Sequence, residues 1–326
     1  MVKISDVAKL AGVSPATVSR VINGTAKVDE GKRKRVLEAI SETGFKPNEI
    51  ARSLFRKSSK IIGYIIPNIE NMYLSEIGRA IEMEAFKNGY KMVLCNSEGK
   101  PEKEIEYINM LESMNADGII ITTNNDDINN KIKNCRIPVV GLDKKPMDIY
   151  DATIQGNNYL GGRLATEHLI KCGCKKIVQM KGPDRYSSAI ERFQGYIDVC
   201  KENNINPLFI ESHYDFSDGL ENAKELLRKF PDVDGILAAS DMVAFSVYKV
   251  LYEMGKRVPE DVKIIGFDGI YLGNLMTPSL TTIAQPISEQ GRLAARIIID
   301  IVEKGEEPIK ENIFPVSLKI RQTTVR

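Results

Sequence analysis

The 326-residue sequence is poor in the groups that carry out chemistry. His168 and His213 are its only histidines, and it contains no HExxH, GxSxG or P-loop pattern. The usual metalloprotease, serine-hydrolase and nucleotide-hydrolysing machinery is therefore excluded, and no catalytic residue is assigned. His168, inside ATEHL (residues 165–169), reads as a packing or surface residue of a helix. Cys95, Cys135, Cys172, Cys174 and Cys200 are odd in number and show no motif spacing, so free thiols are expected. CGC at residues 172–174 lacks the second cluster that a metal site needs, and neither metal nor cofactor is expected. No run of 18 apolar residues is present and no signal peptide precedes the first motif, which together predict a cytoplasmic protein. Low-complexity tracts and short tandem repeats are also missing.

Charge is balanced overall but divided unevenly. Residues 1–60 carry 13 Lys and Arg against 6 Asp and Glu, a net +7, whereas the other 266 residues carry 32 against 38, a net −6. A basic head on an acidic body is the electrostatic footprint of a nucleic-acid-binding domain joined to something else. The head has the matching pattern. In ISDVAKLAGVSPATVSRVIN (residues 4–23), Val7, Leu10 and Ala11 form one apolar stripe at helical spacing, and Val18, Val21 and Ile22 form a second. Gly12 and Val13 supply the turn between them. Ser14 is a good N-cap, followed by Pro15 at the first helical position, where the missing N–H costs nothing. Ala16, Thr17, Ser19, Arg20 and Asn23 face away from the buried stripe, as on the recognition helix of a helix-turn-helix. With Ser5, Ser14 and Pro15 they make up the expected DNA-contacting set. A third helix is capped by Asp29, opens on KRKR (residues 32–35), buries Val36, Ala39 and Ile40, and ends at Gly44. KRKR reads as a solvated face, a phosphate clamp, or both. Asn48 then caps a helix of about two to three turns lined by Ala51, Leu54 and Phe55, too short to persist in water unless packed.

From residue 60 onward, apolar runs alternate with helical patterns: residues 61–66, 92–95, 118–122, 139–142, 176–180, 235–239 and 264–267 read as buried strands, with a helix around residues 74–87 stopped by Asn88 and Gly89. Such alternation predicts parallel sheets covered by helices on both faces. About ten strands are too many for one sheet, so two similar subdomains are expected. Ligands in such folds sit beyond the carboxyl ends of the strands. Asn71, Tyr73, Asp143, Lys144, Asp241 and Asp268 collect there. Asp241, which precedes a helix, reads as a cap. Asp143 and Asp268 are the better candidates, because a carboxylate accepts two hydroxyl hydrogen bonds from a polyol.

The head, the ARSL tetrad (residues 51–54), VPEDVKIIGFD (residues 258–268) and PSLTTIAQP (residues 278–286) resemble the lactose-repressor/galactose-repressor family of bacterial transcription regulators, on its ribose-type sugar-sensing side. The resemblance spans nearly the whole chain. It implies a helix-turn-helix domain at 1–47, a hinge helix and linker at 48–59, and an α/β effector and dimerisation domain at 60–326. The last is of the type I periplasmic-binding-protein kind, with two Rossmann-like subdomains: about 60–157 plus 287–315, and about 158–285 plus 316–326. It also implies that Ala51 and Leu54 enter the minor groove. Effector contacts carried over from the family fall on Tyr73 and Leu74, where two aromatics are usual, and on Asp143-Lys144, where an Asp-Arg pair is usual. Tyr186, Ser188, Arg192 and Tyr214 follow, then Ser240 in place of a common Asn, and Asp268 and Gln285, with Gly269 replacing a second Asp or Asn. The chain is expected to be a homodimeric repressor of a carbohydrate operon that binds pseudo-palindromic double-stranded DNA and is released by a sugar such as ribose. A co-repressor-dependent regulator answering to a phosphoprotein, purine or sugar phosphate is the alternative of the same fold.

Overall fold

The computed structural model describes residues 2–23, 27–45, 58–145 and 147–325. The expected hinge helix, with Ala51 and Leu54, lies outside the described residues.

Residues 1–60 and 61–326 are two separate compact units. In the first, α1 (Ile4–Ala11), α2 (Pro15–Asn23) and α3 (Glu30–Thr43) enclose a small core of Val7, Ala8, Ala11, Val18, Val36 and Ala39. The α1 stripe differs from the expected one. Leu10 is 50% exposed and Ala8 is buried in its place, because the face that meets the other helices runs through positions 4, 7, 8 and 11. Gly12 adopts φ +64° and its N–H closes onto the end of α1, a left-handed conformation that glycine takes without a Cβ penalty. The Ser14 hydroxyl accepts from the Thr17 N–H at 3.2 Å, and the Asp29 carboxylate accepts from the Lys32 N–H at 3.0 Å, so both helix starts are set by their expected caps.

The second unit contains two six-stranded sheets. One has the order β11-β5-β4-β3-β1-β2, built from β1 (Ile61–Ile66), β2 (Lys91–Asn96), β3 (Gly118–Ile121), β4 (Val139–Leu142), β5 (Ala152–Gly156) and β11 (Glu311–Phe314). All its pairs are parallel. The other has the order β12-β10-β9-β8-β6-β7, from β6 (Ile177–Lys181), β7 (Leu208–Glu211), β8 (Gly235–Leu237), β9 (Lys263–Asp268), β10 (Thr281–Ala284) and β12 (Ser317–Lys319). Only β12 runs antiparallel. Side chains alternate across each sheet, as a period of two requires. Ile62, Tyr64 and Ile66 of β1 enter one core cluster, and Ile65 enters the cluster on the opposite face.

The helices that position the site are α4 (Met72–Lys87) on the first sheet, α7 (Asn158–Lys171), α8 (Ser187–Glu202) and α10 (Asp241–Glu253) on the second, and α11 (Ile287–Lys304) back on the first; α5 (Pro101–Ser113), α6 (Asn129–Lys133) and α9 (Phe216–Lys229) are the other α-helices of this unit among the described residues. The chain passes between lobes three times, after β5, after β10 and between β11 and β12. Among the described residues no helix is long and apolar enough to cross a membrane, and all five cysteines are free. His168 is buried on α7, its Nε2 2.9 Å from the Thr324 hydroxyl, which makes it a packing residue.

Candidate functional site

In the head, α2 presents Ser14, Pro15, Ala16 and Arg20 to solvent, with Thr17, Ser19 and Asn23 half-buried; Ser5 is exposed on α1. Some of this polar surface is already engaged. The Ser14 and Thr17 hydroxyls lie 3.0 Å apart, and Asn23 Nδ2 donates to Ser19 Oγ at 3.2 Å. Lys32, Arg33 and Lys34 are exposed at the start of α3. Arg35 differs from them: its Nε donates to the Ala11 carbonyl at 3.2 Å, which ties α3 to the end of α1.

In the second unit a cleft of about 530 Å³ opens beyond the carboxyl ends of the strands. Nine of the twelve expected effector residues line it: Asn71, Tyr73, Leu74, Asp143, Tyr186, Arg192, Tyr214, Ser240 and Asp268. Their sources are local. Asn71 caps α4, its side-chain oxygen accepting from the Tyr73 and Leu74 N–H groups at 3.0 and 3.4 Å, which fixes the loop after β1. Asp143 follows β4 in a left-handed conformation (φ +54°), and Asp268 ends β9 at φ +118°. Arg192 comes from the second turn of α8.

Three expected residues do not line the cleft. Ser188 sits one layer back and donates to Asp143 Oδ2 at 3.0 Å, from the opposite lobe. Gln285 donates through Nε2 to Asp268 Oδ1 at 2.9 Å, and its Oε1 accepts from the Tyr73 hydroxyl at 3.3 Å. Lys144 follows the turn at Asp143 and points elsewhere, half-buried near Asp126, Asp143 and Glu104; burial pushes its ammonium pKa down. The expectation for Asp241 also changes. Ser240 caps α10, its hydroxyl accepting from the Val243 N–H at 3.2 Å, and Asp241 is fully buried with other partners.

Arg192 organises the floor. Its Nε donates to Asn158 Oδ1 at 2.9 Å and its Nη1 to the Ala239 carbonyl at 2.8 Å, while Nη2 lies 3.7 Å from Asp268 Oδ1. The guanidinium carbon stands 3.6 Å from the centre of the Phe267 ring, a cation–π contact in a desolvated setting. Tyr186 and Tyr214 meet edge to face, with centroids 5.2 Å apart. Burial pushes the Asp268 carboxyl up to about 7, opposed by the Arg192 charge and the Gln285 donor. Three buried polar atoms at the cleft make no hydrogen bond of standard geometry with the described residues: Thr122 Oγ1 and Asp143 Oδ1 from the first lobe, and the Tyr214 hydroxyl, with Ser188 beside it, from the second. Such atoms cost free energy unless a ligand or water satisfies them.

Asn158, Met242, Glu98 and Arg185 were not expected at this site. Asn158 lies two residues past the end of β5 and obeys the strand-end rule, but β5 itself is not legible as an apolar run. Glu98 and Arg185 come from loops, where no periodicity marks them.

Two descriptions of known families match the chain. Residues 59–322 match the periplasmic binding proteins and sugar binding domain of the LacI family, and residues 3–48 match the bacterial regulatory proteins of the lacI family. The ribose operon repressor of Halalkalibacterium halodurans is 39% identical, over 99% of this chain and 97% of its own. A periplasmic binding protein/LacI transcriptional regulator from Alkaliphilus metalliredigens, solved with D-xylulofuranose, is 34% identical with a TM-score of 0.75, covering 82% of this chain and 100% of that one. The lac repressor dimer bound to operator and the anti-inducer ONPF is 28% identical with a TM-score of 0.89, covering 100% of this chain and 99% of that one. With both family descriptions satisfied in the expected order, on a basic helix-turn-helix and a two-lobed cleft, the chain belongs to the lacI family of bacterial regulatory proteins.

Proposed function

We propose that this chain is a cytoplasmic, non-enzymatic repressor of a carbohydrate-utilisation operon, that it binds its operator as a homodimer, and that a small neutral sugar, a pentose such as ribose, releases it. The observation that carries the sugar reading is that two of the unsatisfied atoms at the cleft, Asp143 Oδ1 and the Tyr214 hydroxyl, come from opposite lobes. A polyol has hydroxyls to serve both at once, and its C–H surface can lie against Tyr73 and Tyr214. Binding across the cleft then favours a closed arrangement of the lobes. The relatives named for a ribose operon and solved with a ketopentose support the same chemistry.

Charge speaks against a sugar phosphate. The cleft is lined by Glu70, Glu98, Asp143, Asp215 and Asp268, with Arg185 and Arg192 as its only Lys or Arg side chains among the described residues. Arg192 already serves Asn158, Ala239 and Asp268, which leaves Arg185 alone to meet a phosphate dianion. Dimerisation is supported by apolar side chains left in solvent, among them Met83 and Phe86 on α4 and Leu94 on the edge strand β2. In the head, Arg20 is assigned to a guanine, Ala16 to a thymine methyl, and Ser5, Ser14, Pro15, Thr17, Ser19 and Asn23 to the same groove. Ala51 and Leu54 of each subunit are assigned to the minor groove at the operator centre.

The deciding experiment is a linkage measurement. Ribose should lower operator affinity by about 5–150-fold, the range of a 1–3 kcal/mol coupling, and operator should lower ribose affinity by the same factor. Tighter ribose binding on operator would make the protein a co-repressor-dependent regulator; no ribose binding at all would end the sugar reading.

A pH dependence follows from Asp268. Sugar hydroxyls donate to its ionised form, and its carboxyl sits at about 7, so protonation competes with the ligand as pH falls. Ribose affinity measured by calorimetry should rise about tenfold from pH 6 to pH 8, and Asp268→Asn should flatten that rise.

A further inference from the structure

We infer that Asp241 is a positioning residue for the effector site: it clamps the turn that aims Asp268 into the cleft and sets the same turn against the other lobe. The inference rests on the sugar reading of the cleft only for its functional consequence; the clamp itself stands on geometry.

Asp241 is fully buried at the start of α10, and donors surround its carboxylate. Oδ2 accepts from the N–H groups of Gly269 and Ile270, both at 2.8 Å. Oδ1 accepts from the Thr282 hydroxyl at 2.6 Å, on the neighbouring strand β10. Three elements therefore meet on one side chain: α10, the turn after β9, and β10. The backbone leaves room for it at Gly266, where a Cβ would lie 2.2 Å from Asp241 Oδ1.

What the clamp restrains is a strained residue. Asp268 has φ +118°, a conformation that L residues rarely adopt and that persists only when the surroundings over-determine it. The two N–H groups held by Asp241 belong to the residues immediately after Asp268, so the direction of the Asp268 carboxylate toward Arg192 and Gln285 depends on them. The same turn then crosses to the first lobe. Ile270 is buried in one cluster with Tyr64, Tyr73, Leu74 and Ile77, and the Tyr271 N–H donates to Glu76 Oε1 on α4 at 2.9 Å. Ser240 and Met242, the neighbours of Asp241, both line the cleft. Asp241 thus joins, in one carboxylate, the aim of a ligand-facing acid and the seat of a lobe-to-lobe contact.

The test uses the full-length protein, D-ribose as probe, and hydrogen exchange of the peptide spanning residues 269–272. An amide oxygen can still accept from both backbone groups while its NH₂ faces Thr282, so Asp241→Asn should hold ribose affinity within about threefold of wild type and leave exchange slow. Asp241→Ala should speed exchange at least about tenfold and weaken ribose at least about tenfold. Because Asp241 acts through Asp268, adding Asp241→Ala to Asp268→Asn should cost no further ribose affinity. Unchanged exchange in Asp241→Ala, equal damage from Asn and Ala, or full additivity with Asp268→Asn would each overturn the inference. If Asp241→Ala does not fold, Thr282→Val removes one of the three bonds; faster exchange with weaker ribose supports the clamp, and no change in either refutes it. Absence of ribose binding in the wild type would sink the sugar reading alone, because the exchange measurement still decides the clamp.

Discussion

Asp268→Ala is expected to give a repressor that binds operator normally and ignores ribose. The carboxylate is buried, faces the cleft, and is held by Gln285 at 2.9 Å with Arg192 at 3.7 Å behind it. Two sugar hydroxyls donating to a charged acceptor are worth about 1.5–3 kcal/mol each, so their loss should weaken ribose by about 3–6 kcal/mol, on the order of a hundredfold to ten-thousandfold. The fold should survive, because Arg192 keeps its bonds to Asn158 and to the Ala239 carbonyl. Anisotropy of labelled operator titrated with ribose should therefore stay flat for the variant and fall for the wild type. Unchanged ribose affinity by calorimetry would show that Asp268 does not hold the sugar.

The second large effect lies in the head. Arg20 is exposed on α2, and none of the hydrogen bonds or ion pairs described in the head uses its side chain. Losing a bidentate contact to a guanine costs about 1–3 kcal/mol, and a dimer on a pseudo-palindrome loses it twice, so Arg20→Ala should weaken the specific operator by about 2–6 kcal/mol. Non-specific binding should change far less, because phosphates carry that term. Selection of operators from a random pool should show relaxed preference at one base pair per half-site; an unaltered consensus would show that another residue reads the base. Arg35 is a poor choice for the complementary phosphate test. Its Nε holds the Ala11 carbonyl, so neutralising it loosens the head as well as removing a charge. Lys32, Arg33 and Lys34 are the better probes of salt dependence.

Much of this was legible in the sequence wherever burial is complete and the residues are aliphatic. β1, β3 and β4 read directly as strands because parallel strands covered on both faces become unbroken apolar runs. β11 and β12 are half-exposed edge strands reading ENIF and SLK, without enough apolar pattern to announce themselves. β5 is fully buried yet reads ATIQG, its Thr153 hydroxyl satisfied by the Lys310 carbonyl, a bond that sequence alone does not reveal. The cleft was legible through its strand ends, which is why Asp143 and Asp268 stood out. Asp241 reads as a cap in the sequence because a carboxylate at a helix start looks the same whether it caps that helix or reaches a turn 28 residues away.

The three passages between lobes also dictate an order of assembly. As the chain is synthesised, β5 is made by residue 156, but its partner β11 and the covering helix α11 come only between residues 287 and 314. Until then the first lobe has an open strand edge and an uncovered face of Ile120, Val140 and Ile154, surface that invites pairing with other nascent chains. The second lobe waits as long for β12. Neither lobe is a contiguous stretch of sequence, so a protein truncated before α11 leaves both sheets unfinished, and a ribosome stalled there carries two half-built domains in place of one complete and one pending.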